Sequence, residues 1–169
     1  MKIWVTSGMK TRKMNDTERD NAGVIAPPPL IYLGPLLLGL FLHRARPIAF
    51  LPRRIASLLG WPLLACGIGV NLWFVVTMLR AHTPLDPRQP TRQVVTWGPF
   101  RLSRNPGYAS LAMIYVGVAS VVNTLWPLLF LPAVLSVIQR GVIAREERYL
   151  ERTFGAEYRQ YKARVRRWI

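Results

Sequence analysis

The chain has 169 residues, of which 51% are hydrophobic, and it carries a formal net charge of +15. Three stretches, 30–42, 55–79 and 109–139, contain no Lys, Arg, Asp or Glu. A soluble basic protein of this length would interleave its charges with its apolar residues, so this segregation excludes an ordinary soluble domain and indicates a chain embedded in lipid. The sequence therefore predicts a single-domain, all-α, polytopic membrane protein.

A charge this positive could also indicate nucleic acid binding. The arginines, however, cluster at the ends of apolar runs, where positive charge fixes membrane topology and contacts anionic headgroups. Cys66, the single cysteine, lies inside an apolar run, which excludes an internal disulfide and a thiol metal site. His43 and His82 stand alone at segment edges and are interpreted as interfacial. We expect the lipid bilayer as a partner, with no nucleic acid and no metal.

Residues 1–26 are polar, mixed in charge and without the apolar core of a signal peptide, which predicts a flexible cytoplasmic tail before a single domain at 27–169. Residues 26–42 are short for a span, which needs about twenty residues, and Pro35 is expected to kink them. Their composition still predicts a first membrane helix, with a loop at 43–54 after it.

Residues 55–79 are long enough to cross the membrane with some tilt. Gly60, Gly67 and Gly69 give this second helix a small-residue face for packing against a neighbour. Residues 80–104 are polar and rich in proline, which predicts an extended connection rather than a helix. A loop of this length inside a compact protein is often functional.

Residues 109–139 would measure about 46 Å as one helix, which is more than a bilayer core requires. Asn123-Thr124 and Pro127 are break signals in the middle of the run. We therefore predict a helical hairpin at 107–122 and 125–147. Both ends of a hairpin face the same side of the membrane, so this geometry is expected to bring Arg104 beside Glu146.

The tail, residues 146–169, places apolar side chains at helical spacing with basic residues on the opposite face. The apolar set is Leu150, Phe154, Tyr158, Tyr161, Val165 and Trp168. This pattern predicts a cytoplasmic amphipathic helix at the membrane interface, interrupted at Gly155. It could serve only as an anchor, or it could cap a site.

Four predicted spans divide the basic residues unevenly between the two sides of the membrane. Nineteen Lys and Arg residues lie in residues 1–26, in the 80–104 connection and in the chain from Arg140 onward, whereas the 43–54 loop carries four. Because cytoplasmic segments are enriched in Lys and Arg, both termini and the 80–104 connection are predicted to be cytoplasmic.

The predicted hairpin gathers a polar constellation at this side. Arg101 and Arg104 are forked cations suited to carboxylates or phosphates. Pro106 suits a helix start, whose first turn offers free backbone N–H groups to an anion. Glu146 and Glu147 supply acceptors for hydroxyls, an ammonium or a sulfonium. A zwitterionic nucleoside ligand would use all of these groups, but the arginines could equally pair with the glutamates as a purely structural contact.

Three features together resemble the integral membrane methyltransferases: GPFRLSRNPGY at 98–108, the apolar hairpin, and the tail REERYLERTFGAEYRQYKARVRRWI. That family includes isoprenylcysteine carboxyl methyltransferases and phospholipid N-methyltransferases. Its pattern is Arg-His-Pro-x-Tyr, an apolar hairpin, then Glu-Glu followed by FGxxYxxYxxxVxR. The resemblance covers roughly residues 91–169. Asn105 is a departure, because many members have His at this place.

The resemblance implies that the chain binds S-adenosylmethionine without a Rossmann fold, between the last helices and the C-terminal segment. The pocket would open to the cytosol for this cofactor and sideways to the bilayer for a lipid-like acceptor. The residues that carry over to the cofactor are Arg104, Asn105, Pro106, Tyr108, Glu146 and Glu147, with Gly98 and Pro99 shaping the loop. Arg101 joins them as a candidate ligand contact from its position alone. Asn105 cannot carry the positive charge of an imidazole, so a titrating role does not carry over.

The implied reaction is methyl transfer by in-line displacement, with Arg104 and Glu147 as the catalytic candidates. An isoprenylcysteine-type carboxylate is the leading acceptor; it needs no general base, and Arg104 or Arg140 would orient it. A phospholipid or small amine would need deprotonation, which makes Glu147 a candidate base. Two further alternatives are an NADPH-dependent membrane steroid or sterol reductase, whose C-terminal architecture is broadly similar, and a non-enzymatic membrane scaffold.

Overall fold

The computed structural model describes residues 22–87, 89–91 and 93–168, and the regular structure within these ranges is helical. The α-helices are α1 (Pro28–Ala45), α2 (Arg53–Arg80), α3 (Pro106–Val122), α4 (Leu125–Val137) and α5 (Ala144–Arg164). A short 3-10 helix, Gly98–Arg101, precedes α3, and a π-helical turn, Ile138–Ile143, joins α4 to α5. The predicted all-α class is confirmed. Most of the predicted N-terminal tail, residues 1–21, lies outside the described ranges.

Two of the described helices are long and apolar enough to cross a membrane. One is α2, and the other is Leu125–Arg164, in which α4, the π turn and α5 follow one another directly. Large apolar side chains point outward from α2, among them Leu58, Trp61 and Leu72, each at least 60% exposed. A bilayer covers such a surface, whereas water would not tolerate so large an apolar face. The chain is an integral membrane protein, and the count of four spans and the cytoplasmic side of the termini stay predictions.

Helix α2 packs closely against α3 through glycine. A Cβ atom at Gly60 would lie 2.7 Å from the backbone nitrogen of Val121, and one at Gly67 would lie 2.9 Å from that of Ile114. Only residues without a side chain allow two helix backbones to approach this closely. The predicted small-residue face is confirmed for Gly60 and Gly67, but Gly69 faces open space.

The predicted helical hairpin is confirmed, with its turn at Asn123 between α3 and α4. Asn123 has φ 56° and ψ 53°, a left-handed conformation that Asn adopts more readily than most residues. Its side-chain oxygen accepts hydrogen bonds from the backbone N–H groups of Phe50 (3.4 Å) and Leu51 (3.3 Å), and its Nδ2 donates to the Leu51 carbonyl at 2.8 Å. The α1–α2 loop therefore closes over this turn.

The C-terminal part of the prediction needs two corrections. The amphipathic helix of the tail is not separate from the hairpin, because α5 begins at Ala144 and continues the second hairpin helix through the π turn. The predicted interruption at Gly155 is confirmed by its φ of 52° and ψ of −116°. The helix ends at Arg164, so Val165 and Trp168 do not extend its apolar face; Val165 is already in extended conformation. The last residues are drawn out of the helix because their backbone bonds to the segment before α3.

The described end of the predicted N-terminal tail is packed rather than free. Ala22 and Val24 are buried in the apolar core, and Ile25 lies over Gly141 in the π turn, where a Cβ atom would collide with it. Arg145 Nη1 donates to the Gly23 carbonyl at 2.7 Å. This segment therefore fixes the beginning of α5 from one side.

Candidate functional site

A cavity of about 330 Å³ lies where α3 and α5 begin, at the open end of the hairpin. Its volume falls at the lower end of the range typical of small-molecule sites. Polar and aromatic groups from distant parts of the chain converge on it. Those that could meet a ligand include Asn71, Phe74, Phe100, Arg104, Glu146 and Glu147.

The segment before α3 is held by the C-terminal segment through hydrogen bonds to two of its backbone carbonyls. The Arg104 N–H donates to the Arg166 carbonyl at 2.9 Å. The Arg167 carbonyl accepts from Ser103 Oγ at 3.2 Å and from Asn105 Nδ2 at 2.9 Å. Asn105 is buried, and its amide is therefore engaged in holding the tail as well as lining the cavity. This pairing fixes Arg104 at the cavity wall.

Glu147 is the centre of a buried ion-pair cluster. Its Oε1 lies 3.1 Å from Arg104 Nη1, and Arg167 donates to both carboxylate oxygens, from Nε at 3.0 Å and from Nη2 at 2.5 Å. Glu147 is only 6% exposed. A buried carboxylate needs such partners, and a forked guanidinium supplies two aligned hydrogen bonds.

Glu146, the adjacent residue, has a different environment. Its Oε1 accepts a hydrogen bond from the Tyr108 hydroxyl at 2.6 Å, and no described Lys, Arg or His forms an ion pair with it. The residue lies one turn beyond the apolar part of its helix, which ends at Ile143. Burial raises the pKa of Glu146 to about 7; the Tyr108 hydrogen bond opposes the rise, and the nearby charge of Glu147 adds to it.

Arg104 keeps unused hydrogen-bonding capacity. Its Nε and Nη1 atoms are buried, and within the described ranges neither has an aligned hydrogen-bond acceptor. The contact of Nη1 with Glu147 is therefore an ion pair whose N–H bonds are directed elsewhere. Buried guanidinium donors of this kind are costly unless an acceptor meets them, and Arg104 is one of the residues that line the cavity.

The hairpin brings the predicted residues together, but the glutamate that pairs with Arg104 is not the one that was predicted. Arg104 was expected beside Glu146, but it pairs with Glu147, while Glu146 pairs with Tyr108. Pro106 starts α3 and lines the cavity, as do Asn105 and Tyr108. Contact of these residues with a ligand stays a prediction.

Gly98, Pro99 and Arg101 lie outside the cavity lining. Gly98 has a φ of 63°, and a Cβ atom there would lie 2.7 Å from Thr77 Oγ1, so it lets the 3-10 helix approach α2. Pro99 is buried in the same contact. Arg101 is exposed and forms no ion pair with either glutamate. Arg140, the alternative acceptor-orienting residue, is also exposed and outside the lining.

The sequence pattern left several groups at the site unrecognised. Arg167 lies among the basic residues of the tail and was not predicted at the site, although it is the terminal Arg of the FGxxYxxYxxxVxR pattern, which could have identified it. Tyr158 and Tyr161 belong to the same pattern and line the cavity; Tyr161 also donates to the Phe100 carbonyl at 2.8 Å. Asn71 and Phe74 of α2 carried no signal, because polar and aromatic residues in an apolar helix have many possible roles.

Comparison with known proteins supplies two matches. The family model described as phospholipid methyltransferase matches residues 55–157, which is more than half of the chain. A Haemophilus influenzae protein described as an uncharacterized protein is 64% identical over 33 residues, covering 20% of this chain and 52% of that protein. The chain thus spans about half of the length of the curated relative it matches. No solved structure matches the chain.

Proposed function

The chain belongs to the phospholipid methyltransferase family, and we propose that it transfers a methyl group from S-adenosylmethionine to a lipid-like acceptor at the membrane. The single observation that carries the proposal is the cavity whose wall Arg104 shares with the carboxylates of Glu146 and Glu147. That combination matches a ligand with both an anionic and a cationic end.

The residues present fit S-adenosylmethionine. Arg104, whose guanidinium has donors without an acceptor, would take its carboxylate, and Glu146 lines the same cavity for its cationic groups. Phe74 and Phe100, whose ring centroids are 5.8 Å apart, supply an aromatic wall suited to a purine. When bound, the cofactor supplies an activated methyl group on a sulfonium centre.

The protein's contribution is to hold the reacting groups and to exclude water. The C-terminal segment fixes Arg104 through its backbone, and Arg167 fixes Glu147, so both sides of the cavity are set before a ligand enters. The apolar lining at Pro28, Val75 and Met78 offers a surface on which an acyl or prenyl chain could lie.

An amine of a lipid headgroup is the acceptor that we favour. A carboxylate acceptor would need an arginine to orient it; Arg104 is already assigned to the carboxylate of the cofactor, and Arg140 lies outside the cavity. The isoprenylcysteine-type carboxylate remains the second candidate, because the unused donors of Arg104 could orient it instead of the cofactor. An acidic cavity fits a cationic headgroup better than an anionic one.

Binding of labelled S-adenosylmethionine to detergent-purified protein tests the proposal. We expect Arg104→Ala and Glu147→Ala to lose binding by about 10–100-fold, since a hydrogen bond to a charged group contributes about 1.5–3 kcal/mol. Arg159→Ala is the matched control, because that arginine is exposed on α5. Folded wild-type protein that does not bind would overturn the proposal.

Two further readouts separate the other classes of protein. If NADPH displaces S-adenosylhomocysteine and binds more tightly, the chain is a reductase. If Arg104→Ala and Glu147→Ala lower the melting temperature but neither ligand raises it in the wild type, the ion-pair cluster is structural and the chain is a scaffold.

A further inference from the structure

Four arginines lie close together in sequence at the end of the hairpin opposite the cavity. They are Arg44, Arg46, Arg53 and Arg54, here called the arginine cluster, and all four are exposed. Among the residues that the structure describes, none of the four forms an ion pair. Residues 21–85 and 87–145 contain no Asp or Glu, so α1, α2, α3 and α4 supply no carboxylate to the cluster.

The backbone beneath the arginine cluster is fixed to the turn of the hairpin. Trp126 Nε1 donates to the Arg46 carbonyl at 2.8 Å, and the Leu125 N–H donates to the Ile48 carbonyl at 2.9 Å. The amide of Asn123 adds three more hydrogen bonds to the same loop. These contacts use no arginine side chain, so a rigid loop presents four cations to whatever covers this end of the protein.

Neither helix stability nor membrane topology accounts for the arginine cluster. Arg53 and Arg54 open α2, at the positive end of the helix dipole, where cations are unfavourable. No side chain caps this helix end, and its first turn contains no acidic residue. The predicted topology also places the 43–54 loop on the side of the membrane where Lys and Arg are scarce. Cations that are unfavourable for both reasons indicate an anionic partner.

The surface that follows the cluster along α2 is apolar. Leu58 and Trp61 follow Arg54 at spacings of four and seven residues, which places all three on one face of the helix. The same face continues through Ile68 and Leu72, and all four apolar side chains are exposed. A cation followed by an apolar stripe in a membrane helix matches the headgroup and one acyl chain of a phospholipid.

We propose that the arginine cluster binds the phosphate of an anionic phospholipid, whose acyl chain lies along this face of α2. A guanidinium presents paired N–H donors that match phosphate oxygens, and the lipid's charge offsets four cations that otherwise repel one another. The headgroup links the end of α1 to the start of α2 and so fastens the loop over the hairpin turn. This lipid is distinct from the methyl acceptor, because the cavity lies at the other end of the hairpin.

Thermal unfolding and native mass spectrometry of detergent-purified protein test the inference. We expect phosphatidylglycerol to remain bound and to raise the melting temperature, since a ligand of the folded state stabilises it. Phosphatidylcholine, which has no net charge, should have little effect. Arg53→Gln/Arg54→Gln should weaken phosphatidylglycerol binding by about 25-fold, because each arginine near an anionic lipid contributes about fivefold. Arg53→Lys/Arg54→Lys keeps the charge without the fork and should retain part of the binding.

Arg148→Gln/Arg152→Gln on α5 is the matched control. It removes the same charge from two exposed side chains, but Glu151 and Glu157 lie on the same helix, so the field there is mixed in sign. This variant should keep the wild-type response to phosphatidylglycerol. Equal losses in the two glutamine variants would show that only net charge matters, and the inference would then be wrong.

Two further measurements locate the lipid and identify its form. Phosphatidylglycerol with a photoreactive headgroup should label residues 43–54 of the wild type, and labelling confined to α5 would overturn the inference. Glycerol phosphate should not raise the melting temperature; if it stabilises the protein as well as the lipid does, the cluster binds a soluble anion instead. None of these readouts involves methylation, so their outcome is independent of the proposed function.

Discussion

The two ends of the α3–α4 hairpin both connect distant segments of the chain, but they do so through different interactions. At the turn, Asn123 joins the α1–α2 loop through three hydrogen bonds to backbone groups of Phe50 and Leu51. At the open end, Arg104, Glu147 and Arg167 join three distant segments through charges around a cavity. Each end ties together parts of the chain that are far apart in sequence.

The two ends differ in the buried polar groups that remain without a hydrogen-bond partner. The side-chain amide of Asn123 uses both its oxygen and its nitrogen on the loop, and the buried group that this turn leaves without a partner, the Thr124 hydroxyl, is neutral. The open end retains two buried Arg104 donors and a carboxylate with a single short hydrogen bond. Because unsatisfied buried polar groups are costly, such an end persists where a ligand completes it. We therefore expect the turn to provide stability and the open end to provide binding.

The largest expected effect comes from Arg167→Ala. Glu147 would lose two hydrogen bonds and draw Arg104 toward itself, and the C-terminal segment would lose its side-chain anchor. We expect the affinity for S-adenosylmethionine to fall by about 10–100-fold, as for the loss of about 1.5–3 kcal/mol in charged hydrogen bonds. Calorimetric titration of the purified protein with S-adenosylmethionine measures this affinity.

Arg166→Ala is the matched control for this change, because the Arg166 side chain is exposed and only its backbone carbonyl is used. Arg167→Lys should lie between the two, since an ammonium keeps the charge but cannot form the paired hydrogen bonds of a guanidinium. Equal affinities for Arg167→Ala and Arg166→Ala would show that the ion pair does not contribute to the site.

A substitution in the α2–α3 contact, between the two ends of the hairpin, should lower both stability and ligand affinity. Gly67→Ala places a methyl group 2.9 Å from the Ile114 backbone nitrogen and must push α2 away from α3. We expect about 1–3 kcal/mol of lost stability, the usual cost of overpacking, measured by thermal unfolding in detergent. Ligand affinity should fall as well, because α2 carries Asn71 and Phe74 at the cavity.

Gly69→Ala is the control for that experiment, since a Cβ atom at Gly69 meets nothing within 4 Å. It should leave both stability and affinity near wild-type values. If Gly67→Ala lowered stability but left ligand affinity intact, the contact between α2 and α3 would be independent of the site.

The smallest effect is expected at the turn. Asn123→Ala removes the three hydrogen bonds and places alanine in a left-handed conformation, which should cost about 1–2 kcal/mol of stability. Asn123→Gly tolerates the backbone and so isolates the hydrogen bonds. Both variants should bind S-adenosylmethionine as the wild type does. A loss of affinity here would break the division between a structural end and a binding end.

The sequence by itself determined the helices and the break between them. Long uncharged runs require helices in lipid, because every backbone group must find a partner within its own segment. The run at 109–139 was too long for one crossing and carried Asn123-Thr124 in its middle, so the hairpin and the approach of Arg104 to the Glu146-Glu147 pair followed. The family pattern then identified Tyr108, Pro106 and both glutamates as candidate site residues.

Only the tertiary structure decided which carboxylate meets which partner. Successive residues of an α-helix point about 100° apart, so Glu146 and Glu147 cannot face the same group. The directions of these two side chains depend on the π turn at Ile138–Ile143, which rotates α5 about its axis relative to α4. A sequence pattern with a period of 3.6 residues does not reveal such a turn. Arg167 was missed for a related reason. The helix ends at Arg164, and the carbonyls of the last residues reach the site by accepting hydrogen bonds from the Arg104 N–H and the Ser103 hydroxyl.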